Sequence, residues 1–333
     1  KNLIDLAKQI PIYAEGIKKY VAGEPEAVLM VEFIDEDLDL VRSKIKDLES
    51  LVKNQNQNNH FRNYENLEDQ KEVFEIRKAG LNILMSLKGD KKPVAFIEDC
   101  AVTLDHLADY TSRLKEVFAK YNTNGMFYAH ASVGTLHVRP VLNMKSDQDI
   151  KNMKAIAEEA FDMVKEYRGS HSGEHGDGIV RSEFHEKMFG KKILNTFEEI
   201  KDTFDKKNLL NPHKIVRAYK SDDRSLMRYK ADYKAENIST HYDWSEWGQF
   251  SDAVEMCNNN GACRKLDSGV MCPSYRVTKE EKDLVRGRAN TLRLALSNQL
   301  PKDSFVSKEM YKTMELCVSC KACQRECPMS VDM

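Results

Sequence analysis

The chain has 333 residues, 41% apolar and 31% charged, with 51 Lys and Arg against 53 Asp and Glu and a formal net charge of -2. That length allows two domains with separate cores; the balanced charge offers no basic footprint for nucleic acid, and no stretch approaches the ~20 consecutive apolar residues of a transmembrane segment. No secretory leader is evident, and the chain opens inside a helical pattern at Lys1 instead of at a methionine, so we expect a piece of a longer protein.

In chain order, Ala27 to Ile34 is rich in apolar and β-branched residues and predicts a strand, while Glu36 to Leu51 has helical apolar spacing. Asn54 to Asn59 predicts a polar loop. A helix follows between about Glu68 and Leu87, then a strand from Pro93 to Ile97, a helix from Val102 to Tyr121, a strand pair around Gly134 and a helix from Asp147 to Tyr167. Asn211-Pro212 closes this part. The order predicts an α+β fold, an antiparallel sheet with helices on one face. Beyond Val216 the chain is charged and aperiodic to about Trp244, which predicts a surface linker. The helical stretches Glu280 to Leu296 and Lys308 to Leu316 then separate groups of cysteines, predicting a small α-helical ferredoxin domain. The expected boundaries are 1–218, a linker at 219–245, and 246–333.

Eight cysteines are present and seven lie beyond position 256. Cys317-x2-Cys320-x2-Cys323-x3-Cys327-Pro328 has ferredoxin spacing, in which three closely spaced thiolates wrap one iron-sulfur cube and the fourth reaches a second cluster. Upstream stand Cys257-x5-Cys263 and Cys272-Pro273. Cys272 completes a 4Fe-4S cube with Cys317, Cys320 and Cys323, leaving Cys257, Cys263 and Cys327 with Asn260 where a fourth thiolate is expected. An amide is a poor iron ligand beside thiolates, so the second cluster is expected as 3Fe-4S or as a cube with one labile iron. A zinc ribbon, or plain surface thiols, is the competing reading. Unpaired cysteines point to a reducing, cytoplasmic compartment.

The segment Gly125 to Pro140 carries His130 and His137 on either side of Gly134. A hairpin turning there is expected to bring the two imidazoles face to face across its neck. The glycine-punctuated loop Gly169 to Gly178 adds His171, Glu174 and His175. Two His and one Glu with a place left open is a Lewis-acid arrangement; the plainer alternative is that each His is a hydrogen-bonded strand or loop residue.

The run Ala129-His130 to His137, the loop Ser172-Gly173-Glu174-His175-Gly176 and the closing Leu210-Asn211-Pro212-x-Lys214-Ile215 resemble the C-terminal substrate domain of FAD-linked oxidases. That family includes D-lactate and D-2-hydroxyglutarate dehydrogenases and the glycolate oxidase flavin subunit. The resemblance covers roughly Ala27 to Val216. From about Met256 the chain is similar to the glycolate oxidase iron-sulfur subunit, and the pairing of both parts resembles fused FAD/iron-sulfur D-2-hydroxyacid dehydrogenases. The resemblance implies oxidation of a 2-hydroxy acid to the 2-oxo acid, with electrons passing from flavin through the clusters to a quinone or other carrier. It implies a divalent metal, usually zinc, on His130, His137 and Glu174, with His175 as the base that takes the hydroxyl proton. Arg77 matches an arginine that pairs with the substrate carboxylate, against the alternative of a charge on a solvated helix face, and Asn211 falls in a cofactor-contacting segment. It also implies an upstream FAD-binding domain and a cytoplasmic position, with the inner membrane face as a peripheral alternative.

Three departures stand out. The turn reads Ser132-Val133-Gly134-Thr135 where the family usually has Gly-Asp-Gly-Asn. Arg139 replaces a frequent Asn, either to bind a second substrate carboxylate or to brace the site. Phe96-Ile97-Glu98-Asp99 stands where hydroxyglutarate enzymes carry a lysine, so substrate identity does not transfer. The competing class is an electron-transfer and scaffold module without a live site.

Overall fold

The computed structural model describes residues 2–55, 59–267 and 269–333. Contacts divide the chain into two compact units, Lys1–Leu84 and Met85–Met333. The first is built from helices α1 (Asn2–Gln9), α2 (Pro11–Tyr20), α3 (Leu38–Gln55) and nearly all of α4 (Leu67–Met85). Pro11 stands in the first turn of α2, where a missing N–H costs no helical bond. Ala7, Ile17, Ala79 and Ile83 form the unit's small core.

The strand expected at Ala27 to Ile34 does not form. The segment joins no ladder among the described residues, and Val28, Leu29 and Ile34 are 58%, 73% and 81% exposed. β-branched composition favours extended backbone, but a strand also needs a neighbour for its N–H and C=O groups, and the described elements of this unit are all helices. Asn54 and Gln55, expected in a polar loop, are the last residues of α3; residues 56–58 lie outside the described residues.

The second unit opens with a four-stranded sheet: β1 (Lys91–Pro93), β2 (Cys100–Ala101), β3 (Gly125–His130) and β4 (Thr135–Asn143). All pairings are antiparallel and all are made to β4, with Gly125 opposite Pro140 and His130 opposite Thr135. The expected strand from Pro93 to Ile97 is cut short at Pro93. Phe96 and Ile97 leave the ladder to enter the core, and at Asp99 the backbone turns through φ 60°.

Helices α5 (Leu104–Lys120) and α6 (Asp147–Glu166) supply the layer over the sheet. Ser146 caps α6 by accepting the Asp149 N–H, and Ile150, Met153, Ile156, Ala157, Ala160, Phe161 and Val164 recur on one face at helical spacing. They pack with Tyr110, Leu114 and Phe118 of α5 against Leu136, Val138 and Leu142 of β4. Each such fully buried large side chain contributes on the order of 1.5–3 kcal/mol. The alternation of β4 has a second consequence: with Leu136 and Val138 committed to the helices, His137 and Arg139 stand on the opposite face.

Short helices α7 (Gly178–Ser182) and α8 (His185–Phe189) and the longer α9 (Lys191–Phe204) follow. The aperiodic segment from Val216 to Trp244 holds only one 3-10 turn, Arg224–Leu226, but is tied down: Arg228 donates to the Cys257 carbonyl and the Glu236 N–H to that of Leu296. The cysteine-rich part is helical, with α10 (Phe250–Glu255), α11 (Pro273–Thr278), α12 (Val285–Leu296), α13 (Lys308–Met314) and α14 (Ala322–Glu326) around a core of Met256, Tyr275, Leu284, Val285, Ala289 and Met329. Lys145, just past β4, reaches Glu255 of α10 at 2.7 Å and docks this part on the sheet. The class is α+β, as the sequence predicts. Among the described residues no helix is long and apolar enough to cross a membrane.

Candidate active site and cluster sites

The hairpin between β3 and β4 turns through a short 3-10 segment, Ala131–Val133, into Gly134 at φ 69°. A Cβ there would lie 1.8 Å from the Val102 carbonyl oxygen, so the close approach of the turn to β2 demands glycine. The register corrects one expectation. His130 pairs with Thr135 and His137 with Tyr128, so the two histidines are diagonal neighbours on one face and not cross-strand partners. Their rings still meet, with centroids 5.2 Å apart and planes at 77°.

The loop after α6 brings in Glu174 and His175. Glu174 Oε1 lies 2.8 Å from His137 Nε2 and 3.7 Å from both His130 Nε2 and His175 Nε2. One donor atom each from His130, His137 and Glu174 lies within 4.8 Å of the others. This set of two imidazoles and one carboxylate suits a divalent ion of the zinc type with a position left for a ligand. His175 stacks on His137 at 5.1 Å and 18° and is itself exposed on the open side. Burial lowers the pKa of His137 below the usual imidazole value, against the pull of Glu174 and Glu98.

Behind these groups stand residues that the motifs did not single out. Glu98 Oε1 is 3.6 Å from His137 Nδ1, and its other oxygen is 2.6 Å from Arg139 Nη2. A carboxylate behind a ligating imidazole orients the ring. Asp99, completely buried, accepts the backbone N–H groups of Glu174 and His175 at Oδ2 and pairs with Arg181 through Oδ1 at 2.7 Å. Arg181 also donates to the carbonyls of Gly176 and Glu98. The signal for this brace was present: two carboxylates closing the apolar run Val94 to Ile97 are charges in a buried context, and such charges need partners.

Arg77 lies half-buried on α4 within the first unit, whereas the histidine group belongs wholly to the second. Asn211 is exposed and left-handed at φ 49°.

Among the cysteines, Cys272, Cys317, Cys320 and Cys323 line one pocket together with Arg288 and Met333. Four thiols around one pocket are a donor set that fits an iron-sulfur cube. Cys257, Cys263 and Cys327 form the other group: burial pushes the Cys263 thiol up to about 11, with the charges of Cys257 and Cys327 adding to the effect. At Asn260 the amide is taken up by Asn258 Oδ1 and the Ala262 N–H within its own turn. The amide beside the group is that of Asn259, whose Oδ1 is 3.8 Å from Cys257 Sγ. The eighth cysteine, Cys100, is buried on β2, where burial pushes its thiol up to about 12.

Residues 7–215 match the family described as FAD linked oxidases, C-terminal domain. The chain belongs to that family. Residues 253–331 match the 4Fe-4S dicluster domain, so this FAD-linked oxidase chain joins an oxidase C-terminal domain to one for iron-sulfur clusters. It is similar to the D-2-hydroxyglutarate dehydrogenases of Haemophilus influenzae, at 28% identity over 100% of this chain and 36% of the relative, and of Pseudomonas putida, at 30% over 78% of this chain and 29% of the relative. It is also similar to the mitochondrial D-lactate dehydrogenase [cytochrome] of Arabidopsis thaliana, at 27% over 64% of this chain and 37% of the relative. The chain thus spans about a third of the length of these curated relatives.

Proposed function

We propose that this chain is the substrate and electron-exit portion of an FAD-dependent, iron-sulfur D-2-hydroxyacid dehydrogenase, acting on an acid of the D-2-hydroxyglutarate or D-lactate class. The observation that carries the reading is the meeting of His130, His137, Glu174 and His175 at one Glu174 oxygen on the sheet face opposite the helices. His130, His137 and Glu174 would hold a divalent ion, zinc by donor type. When bound, that ion supplies Lewis-acid polarisation of the substrate oxygens and FAD supplies the two-electron acceptor. His175, exposed and stacked on His137, takes the hydroxyl proton of the substrate. Glu98 faces His137 Nδ1 at 3.6 Å, and Arg139 holds Glu98, which favours a bracing role for Arg139. By the family resemblance alone, Arg77 is assigned to binding a carboxylate and Asn211 to contact with the flavin.

Cys272, Cys317, Cys320 and Cys323 would hold a 4Fe-4S cube, and Cys257, Cys263 and Cys327 would hold a second cluster; when bound, the clusters would supply one-electron transfer away from the flavin. The second group has three thiols and an amide neighbour, Asn259, which supports a 3Fe-4S form or a cube with one labile iron. A quinone or similar carrier, met on the cytoplasmic side of a membrane, is the acceptor.

The deciding experiment is steady-state oxidation of D-2-hydroxy acids by the anaerobically reconstituted flavoprotein that carries this chain together with its FAD-binding domain. His175→Ala is expected to lower turnover by about 10²–10⁴-fold with flavin and metal retained. Unchanged turnover in that variant removes His175 from the chemistry. No turnover by the wild type on any 2-hydroxy acid favours the electron-transfer and scaffold alternative.

A further inference from the structure

A second group of ligating side chains lies beneath the same loop and has no part in the chemistry above. His171, Asp177 and His185 offer one donor atom each within 4.8 Å of one another. His171 Nε2 is 3.3 Å from Asp177 Oδ1, and His185 Nε2 is 3.2 Å from Asp177 Oδ2. Both imidazoles are about 1% exposed. His171 Nε2, His185 Nε2 and Asp177 Oδ1 are buried with no hydrogen-bond partner, although buried polar atoms nearly always have one.

The second nitrogen of His185 sharpens the problem. His185 Nδ1 lies 2.8 Å from the Ile215 carbonyl oxygen, which only accepts, so the hydrogen of the neutral ring sits on Nδ1. Nε2 then turns a lone pair toward a carboxylate, which is repulsive unless a cation stands between them. A protonated His185 and an Nε2–H tautomer of His171 would both have to donate to Asp177, yet at 3.2 and 3.3 Å neither nitrogen has hydrogen-bond geometry to it. A single metal ion answers for both nitrogens and the carboxylate together. The two nitrogen–oxygen separations, one to each oxygen of Asp177, are close to the roughly 3.3 Å between ligand atoms of a tetrahedral ion with bonds of about 2.0–2.1 Å. The Ile215 carbonyl is then the backbone acceptor that fixes the tautomer of a ligating histidine.

We infer that His171, Asp177 and His185 form a second, structural metal site for a zinc-type divalent ion. His171 precedes and Asp177 follows the turn that carries Glu174 and His175, while His185 comes from α8. An ion there ties the two ends of the loop to a helix. Its role as a loop clamp rests on the reading of Glu174 and His175 given above; the site itself does not.

The test is zinc stoichiometry and zinc X-ray absorption on the purified protein. Wild type is expected to take up two zinc ions per chain. The His130→Ala/His137→Ala variant should keep one, with nitrogen and oxygen ligands at about 2.0–2.1 Å. Adding His185→Gln should weaken the remaining zinc at least about 100-fold, beyond the cost of losing a supporting hydrogen bond. A His130→Ala/His137→Ala protein that is folded by circular dichroism yet holds no zinc overturns the proposal and leaves a protonated His-Asp-His group. Sulfur in the zinc coordination shell also overturns it, because the ion would then sit at the cysteines. If the triple variant does not fold, the wild-type count decides: two zinc ions with imidazole ligands uphold the site, and one overturns it.

Discussion

Asp99 and Arg181 form a buried ion pair, 2.7 Å from Oδ1 to Nη2, behind the loop that presents Glu174 and His175. The other oxygen of Asp99 holds the N–H groups of those two residues at 2.8 and 2.7 Å. The carboxylate therefore positions the loop backbone, and the guanidinium keeps that carboxylate charged and in place.

Asp99→Ala leaves Arg181 buried without its counter-charge and the two N–H groups without an acceptor. We expect a loss of about 3–5 kcal/mol in unfolding free energy by denaturant titration. We also expect a drop of about 10–100-fold in metal affinity at the His130 site, since the variant removes the support and not a ligand. Unaltered stability would show that the pair does not brace the loop.

Gly134→Ala puts a methyl group into the Val102 carbonyl at a residue with φ 69°. The hairpin must shift to relieve it, at about 1–3 kcal/mol. The fall in melting temperature should be accompanied by loss of the His130 and His137 geometry, read from the imidazole resonances. A variant as stable as wild type would mean that the turn reaches β2 by another route.

Glu183 supplies a pH dependence away from the site. Burial raises its pKa, but the Ser221 N–H, Lys154 and Lys220 outweigh burial and hold it at about 2. A carboxylate depressed from its ordinary 4.5 contributes stability that is fully present above that value and is lost as pH falls toward 2. Glu183→Gln is therefore expected to cost about 1–3 kcal/mol at pH 7, with the gap to wild type closing between pH 4.5 and 2. A gap that stays constant across that interval would exclude the ionised group as its cause.

Arg288 is 1% exposed, donates to Cys272 Sγ at 3.3 Å and is held by the Thr313 carbonyl and Ser274 Oγ. A buried cation beside a cluster thiolate favours the reduced, more negative state. Arg288→Met should lower the reduction potential of the cluster on Cys272, Cys317, Cys320 and Cys323 and leave the other nearly unchanged, as measured by redox titration followed by electron paramagnetic resonance. Equal shifts in both clusters would point to a general loss of packing.

What the sequence by itself determined is what local physics controls. The period of Ile150 to Val164 is that of α6, the spacing around Gly134 is that of a hairpin, and the intervals between Cys317, Cys320 and Cys323 bring the three thiols to one pocket. Each depends on residues a few positions apart. Tertiary structure alone decided the rest. The run from Ala27 to Ile34 has the composition of a strand and joins no sheet, because pairing requires a partner that composition does not supply. His130 and His137 meet diagonally because register depends on where the turn closes, one residue of offset being enough to change every partner. Glu98, Asp99 and Arg181 carry no motif; they come together because the chain returns after α6 to lay the Glu174 loop against β2. Asn259, and not Asn260, lies beside Cys257 because the turn's own hydrogen bonds hold the Asn260 amide while Asn290 holds that of Asn259 next to the thiol.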